Sequence, residues 1–157
     1  MPVIYIHTEI NAPLVICFDL SRSIDLHIAS TIKTGEYVIA GRQSGLICLH
    51  ETVTWKARHF GIWQTLTSKI TAFEAPNYFA DEMVSGAFKS FRHEHHFQEE
   101  RGRTIMKDIF EFQTPFGIFG KLAEILFLKK YMERLLTERN KVIKNCAEHN
   151  DWKQYLS

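Results

Sequence analysis

Two histidines on alternate positions, His93 and His95, and two aspartates, Asp81 and Asp108, are the residues here best suited to holding or moving a proton. Imidazole changes charge near neutral pH, and a carboxylate beside it fixes its orientation and tunes its basicity. One such pair in an apolar site serves as acid and base at a carbonyl, with His93 or His95 as the base. The same four groups also suit a structural network, in which each acid satisfies a histidine and braces the fold. His59 is a fifth candidate. His-x-His spacing, with His59 nearby, permits a three-histidine metal site, but spacing supplies no carboxylate to orient the rings, so neither metal nor cofactor is expected.

These groups act together only if their elements aim them at one place. Successive strand residues point to opposite faces, so polarity sorts each strand. Between Phe88 and Gln98 the inward set is Phe91, His93, His95 and Phe97. Between Arg103 and Thr114 it is Thr104, Met106, Asp108, Phe110 and Phe112. Glu51 to Phe60 turns Val53, Trp55, Ala57 and His59 inward, and Tyr78 to Ser85 turns Phe79, Asp81 and Met83 inward. If Gln98 pairs with Arg103 around a four-residue loop, His93 stands opposite Asp108 and His95 opposite Met106. A three-residue loop at Gly86 sets Asp81 opposite His93. The expected row is Asp81–His93–Asp108, with His93 holding its proton firmly between two carboxylates.

The remaining elements follow from periodicity. Val3 to Ile10 reads as a strand, and Asn11-Ala-Pro13 as a helix start. Leu14–Leu20 and Ser23–Ser30 are two short helical segments. A strand is expected near Glu36–Ala40, then strands over 51–60, 64–73, 78–85, 88–98 and 103–114. From about Ile118 to His149, apolar residues recur at intervals of three and four, so one long helix turns Leu122, Ile125, Met132, Leu135 and Leu136 toward the sheet. This is an α+β layout: a curved antiparallel sheet of six to seven strands around a long C-terminal helix, with two short helices after the first strand. No repeat or linker interrupts residues 1–157, which are expected to form a single domain.

Composition narrows the function classes. The chain is 45% apolar and 24% charged with net charge +1, and no basic stripe marks a nucleic-acid binder. Twelve phenylalanines imply a dense core or an aromatic-lined cavity. Cys17, Cys48 and Cys146 lie far apart without CxxC spacing, as buried thiols in a reducing compartment do. The N-terminus lacks a basic signal-peptide region, and the apolar run Ile125–Leu128 is far too short to span a membrane. A cytoplasmic location is expected; nothing indicates oligomeric state.

The order of elements resembles the SRPBCC, or START-like, helix-grip superfamily, near its polyketide cyclase/dehydrase and lipid-transport-like members. Gly86-Ala-Phe-Lys-Ser-Phe-Arg-His-Glu-His95, Thr104-Ile-Met-Lys-Asp108, Ser44-Gly-Leu-Ile near Val53-Thr-Trp55, and Pro115-Phe-Gly-Ile-Phe-Gly120 carry the resemblance. It implies a cavity between sheet and helix that binds a small hydrophobic molecule, lipid-, polyketide- or quinone-like, as carrier or sensor. A cyclase or dehydratase using a His/Asp pair, and a protein-interaction module with a vestigial cavity, are the alternatives it leaves open. The expected lining is Trp55, His59, Phe79, Met83, Phe91, His93, His95, Met106, Asp108, Phe110, Leu122 and Ile125, with Phe116–Gly120 a gate or a plain apolar turn.

Overall fold

The computed structural model describes residues 2–115 and 121–156, with side chains left aside at 121–124. The expected turn at 116–120 and the side chain of Leu122 lie outside the described residues. Strand β1 (Val3–Ile10) leads into helices α1 (Leu14–Ser21) and α2 (Ile24–Ser30). Strands β2 (Tyr37–Gly41), β3 (Thr52–His59), β4 (Ile62–Glu74), β5 (Tyr78–Ser85), β6 (Ser90–Glu100) and β7 (Arg103–Gln113) follow. Helix α3 (Lys121–Glu148) and the short α4 (Lys153–Leu156) close the chain. Short 3-10 turns at Ile32–Thr34 and Asn150–Trp152 were not expected from periodicity.

All seven strands form one antiparallel sheet in the order β1-β7-β6-β5-β4-β3-β2. Register shifts between Val38 and Ala40, Thr67 and Ser68, and Ile70 and Ala72 mark bulges, which bend the sheet toward α3. Ser23 caps α2 by accepting a hydrogen bond from the Leu26 amide at 3.2 Å. That cap separates the two short helices. At the start of α1 the N-cap is Pro13, while the Asn11 amide donates to Glu148 Oε2 at 2.8 Å, so Asn11 ties β1 to the end of α3.

Two hairpin turns set the register beneath the site. Phe60 and Gly61 both have positive φ between paired His59 and Ile62, and Arg101 and Gly102 do the same between Glu100 and Arg103. Two successive left-handed residues make the tight turn whose twist matches a hairpin. The second turn is therefore two residues long, not four, and the β6–β7 ladder slides by two. His93 pairs with Phe110 and His95 with Asp108. Around Gly86 the expected pairing of Asp81 with His93 is present. A shift of two keeps every side chain on its face.

The interior divides in two. Against α1, Phe18 meets Phe73, Phe79 and Phe97 edge-on at 5.4–5.5 Å, and Ile143, Cys146 and Ala147 of α3 close that cluster. Further along, Ile4, Phe91, Phe110, Phe112 and Leu136 form a second cluster, joined by Leu128 and Met132. The buried stripe of α3 is Leu136, Arg139, Asn140, Ile143, Cys146 and Ala147; Leu135 is only half-buried. Cys17, Cys48 and Cys146 are free thiols; Cys17 and Cys146 are buried as expected, but Cys48 is exposed, and burial pushes Cys17 up to about 11.

Candidate functional site

Between the two apolar clusters lies a belt of buried polar side chains. Asp108, 1% exposed, is its hub. Its Oδ1 accepts a hydrogen bond from His93 Nε2 at 2.9 Å and lies 3.0 Å from His95 Nδ1, in ion-pair contact without hydrogen-bond alignment. Its Oδ2 accepts from Asn140 Nδ2 at 2.6 Å, and Arg139 Nη1 stands 3.9 Å from Oδ1. On the neighbouring strand, Asp81 Oδ1 lies 3.1 Å from His95 Nε2 and 4.0 Å from His93 Nδ1. The imidazoles face each other at 3.8 Å, and His95 stacks on Phe79 at 4.2 Å. The hydrogen bonds thus run along diagonals of the ladder, while the directly paired His95–Asp108 and Asp81–His93 are in ion-pair contact.

Burial raises a carboxyl pKa, but the hydrogen bond from His93 and the close contact with His95 outweigh it and hold Asp108 well below the usual carboxylate range. Asp81 is lowered for the same reasons, with His95 its main partner. The histidines diverge. Burial, reinforced by the neighbouring His95, pushes His93 down to about 4, so it is neutral at physiological pH. His95 is buried too, yet its contacts with Asp108 and Asp81 outweigh desolvation and raise it. The histidine that holds its proton is therefore His95, not the expected His93. Because Asp108 is an acceptor, neutral His93 carries its proton on Nε2, which leaves Nδ1 a lone-pair donor.

A cavity of about 480 Å³ opens beside this belt, between the sheet and α3. Its walls include Trp55, Ala57, Leu66, Phe91, Phe110, Leu128, Met132 and Leu135, and His93, Asp81 and Arg139 stand at its polar end. His59 lines it as well, with Nδ1 2.6 Å from the Tyr131 hydroxyl. Beyond it, His27 Nε2 lies 2.7 Å from Glu36 Oε1, and both residues are on the same wall. Phe60 and Phe127 sit 5.4 Å apart and are exposed beside the cavity.

Of the expected lining residues, Trp55, His59, Phe91, His93 and Phe110 are on the walls. Phe79 and Met106 are not: α1 covers that part of the sheet, and Ser21 Oγ lies 3.4 Å from Met106 Sδ. His95 and Asp108 lie behind His93 and are sealed from the cavity by their own partners. Met83 packs with the second apolar cluster, and among the described residues the lining stretch of α3 begins at Phe127, after Ile125. Arg139 and Asn140 were missed, although they stand three and four residues after Leu136, in the middle of its apolar stripe. His59 also stands apart from His93 and His95 in its contacts: its hydrogen-bond partner is Tyr131, and among the described residues the group with metal-ligand spacing is Asp81, His93 and His95.

Solved structures match this architecture over nearly the whole chain. A START superfamily protein from Mycobacterium smegmatis superposes with a TM-score of 0.69 over 93% of this chain and 97% of its own, at 9% identity. The fold is the START-like helix grip. TTHA0849 from Thermus thermophilus shares the grip with a TM-score of 0.70 and 16% identity, covering 90% of this chain and 97% of that one. So does ginseng major latex-like protein 151 from Panax ginseng, with a TM-score of 0.66 and 14% identity over 93% and 97%. No protein-family model and no curated protein matches the sequence. No described helix of this grip is long and apolar enough to cross a membrane.

Proposed function

We propose that the protein binds a small, mainly apolar molecule inside the grip, as a carrier or sensor, and orients it by one polar group. The observation that carries this reading is the cavity of about 480 Å³, within the few-hundred Å³ range of small-molecule sites, with aromatic and aliphatic walls and His93 at its inner end. A ligand oxygen placed there meets a neutral imidazole, the Asp81 carboxylate and the Arg139 guanidinium. Apolar walls supply affinity through burial, and a few convergent polar groups fix orientation. A lipid-, polyketide- or quinone-like molecule has that chemistry. An open cavity of this size argues against a purely vestigial one. Three free cysteines suit a cytoplasmic setting.

Native mass spectrometry of protein purified from its own host tests the reading, because a retained ligand adds its mass to the chain. Anilinonaphthalene sulfonate should fluoresce on entering the cavity and be displaced by apolar competitors. A protein that retains nothing and binds no such probe would overturn the proposal.

A second reading rests on one further observation. His93 has a neutral ring backed by Asp108 and exposed to the cavity, the arrangement of a general base. A cyclase or dehydratase would use His93 Nδ1 to take a proton next to a ligand carbonyl while the aromatic walls hold the chain folded. Turnover of a retained ligand, lost in His93→Gln with binding intact, separates enzyme from carrier.

A further inference from the structure

We propose that Asp81, His93 and His95 form a binding site for a divalent first-row transition metal, facing the cavity. One ligand atom from each of these three residues, on two adjacent strands, lies within 4.8 Å of the other two, and His93 Nδ1 and His95 Nε2 both face Asp81 Oδ1. Metal–ligand bonds of 2.0–2.1 Å in a tetrahedral site separate neighbouring donors by about 3.3 Å. His95 Nε2 and Asp81 Oδ1, 3.1 Å apart, already meet that spacing. His93 Nδ1, 4.0 Å from the same oxygen, needs to close by less than an ångström.

The outer partners supply the stronger argument. A ligating histidine directs its other ring nitrogen to a carboxylate or carbonyl, which fixes the ring and raises its basicity. Here the far nitrogen of His93, Nε2, hydrogen-bonds to Asp108 Oδ1 at 2.9 Å, and that of His95, Nδ1, lies 3.0 Å from the same oxygen in ion-pair contact. Asn140 holds the other oxygen of Asp108. Two imidazoles oriented by a shared carboxylate, with a second carboxylate on their free side, make a two-histidine, one-carboxylate set. Such sets hold a divalent metal with positions left open.

His93 and Asp81 line the cavity, so the open position faces it. A divalent ion together with Asp81, Asp108 and Arg139 leaves one net positive charge. The open position therefore favours an anionic oxygen, from hydroxide or from a ligand carboxylate or enolate. Only this last step depends on the cavity holding an organic ligand. Metal binding itself does not.

The test uses the full-length protein stripped with EDTA, with Co²⁺ as the probe and no organic ligand. One Co²⁺ per chain should bind, with the intense visible absorption of a low-coordinate ion. Asp81→Asn and His93→Gln should each weaken binding by more than a hundredfold, Asp108→Asn by about 10–100-fold, and His59→Gln should leave it unchanged. Because a variant can fail to fold, imidazole ¹⁵N spectra of the unaltered chain give a second reading. Zn²⁺ should shift Nδ1 of one ring and Nε2 of another. No Co²⁺ uptake, uptake unaffected in Asp81→Asn and His93→Gln, or Zn²⁺ shifts confined to other histidines would each overturn the site. Any of these results leaves the response to anilinonaphthalene sulfonate, and so the cavity reading, standing.

Discussion

Asn140 on α3 donates its side-chain amide to Asp108 on β7 across 2.6 Å, deep in the interior and 32 residues along the chain. This bond fastens the long helix to β7, one strand in from the edge of the sheet, at the point where the two apolar clusters meet. Replacing Asn140 with Leu keeps the volume but leaves Asp108 Oδ2 without this donor. A buried acceptor stripped of its partner costs about 1–3 kcal/mol, and more when charged. Urea unfolding should show a loss of at least that size, whereas a change below about 0.5 kcal/mol would mean that the bond does not brace the fold.

Leu136 and its neighbour Leu135 should respond differently to truncation. Leu136 is 8% exposed and packed with Phe91, Phe110 and Phe112, so Leu136→Ala should cost about 2–5 kcal/mol. Leu135 is half-buried on the cavity wall, so Leu135→Ala should cost less and act chiefly on probe affinity. Equal losses from both would contradict the orientation of α3.

Ala57, 4% exposed on β3, has its methyl on the cavity wall. Ala57→Phe should fill part of the cavity, at an overpacking cost of about 1–3 kcal/mol. The variant should remain folded by circular dichroism while its affinity for anilinonaphthalene sulfonate falls at least tenfold. Undiminished probe binding would place the probe elsewhere on the protein.

His59 offers a pH test away from the polar belt. Burial lowers its pKa, and the carboxylate of Glu36 only partly offsets this. Tyr131 is shifted up, so its phenol stays protonated and donates to the neutral ring. With the folded value below the unfolded one, the contribution of His59 to stability is present above about pH 6.5 and is lost as pH falls below it. NMR titration should find the midpoint of His59 below the ordinary histidine value. Tyr131→Phe removes the donor that favours the neutral form and should move the midpoint upward.

Alternation made the faces legible, which is why His93, His95 and Asp108 could be placed indoors from polarity alone. Register was harder, because it depended on whether Arg101 would join Gly102 in a left-handed turn. A residue with a Cβ disfavours that conformation, so nothing local announced a two-residue loop. The difference of two residues left each face intact yet set Asp108 opposite His95 and Phe110 opposite His93. Arg139 and Asn140 escaped notice because a polar pair within an apolar stripe looks like solvated surface until the sheet brings Asp108 to meet it. The seating of α1 over Phe79 was also hidden, since no local pattern states which part of a sheet a short helix will cover.

Strand order carries a consequence for how the chain is made. Among the described residues β1 has one partner, β7, with Ile4 opposite Phe110 and Ile10 opposite Thr104. The first strand to leave the ribosome must therefore wait, unpaired, for about a hundred further residues to be synthesised. Its opposite face then waits for α3, where Glu148 and Lys144 hold Asn11 and the Glu9 carbonyl. The central hairpins close over short distances, but the seam between the two ends forms last. Such long-range closure slows folding and exposes an aggregation-prone strand edge meanwhile.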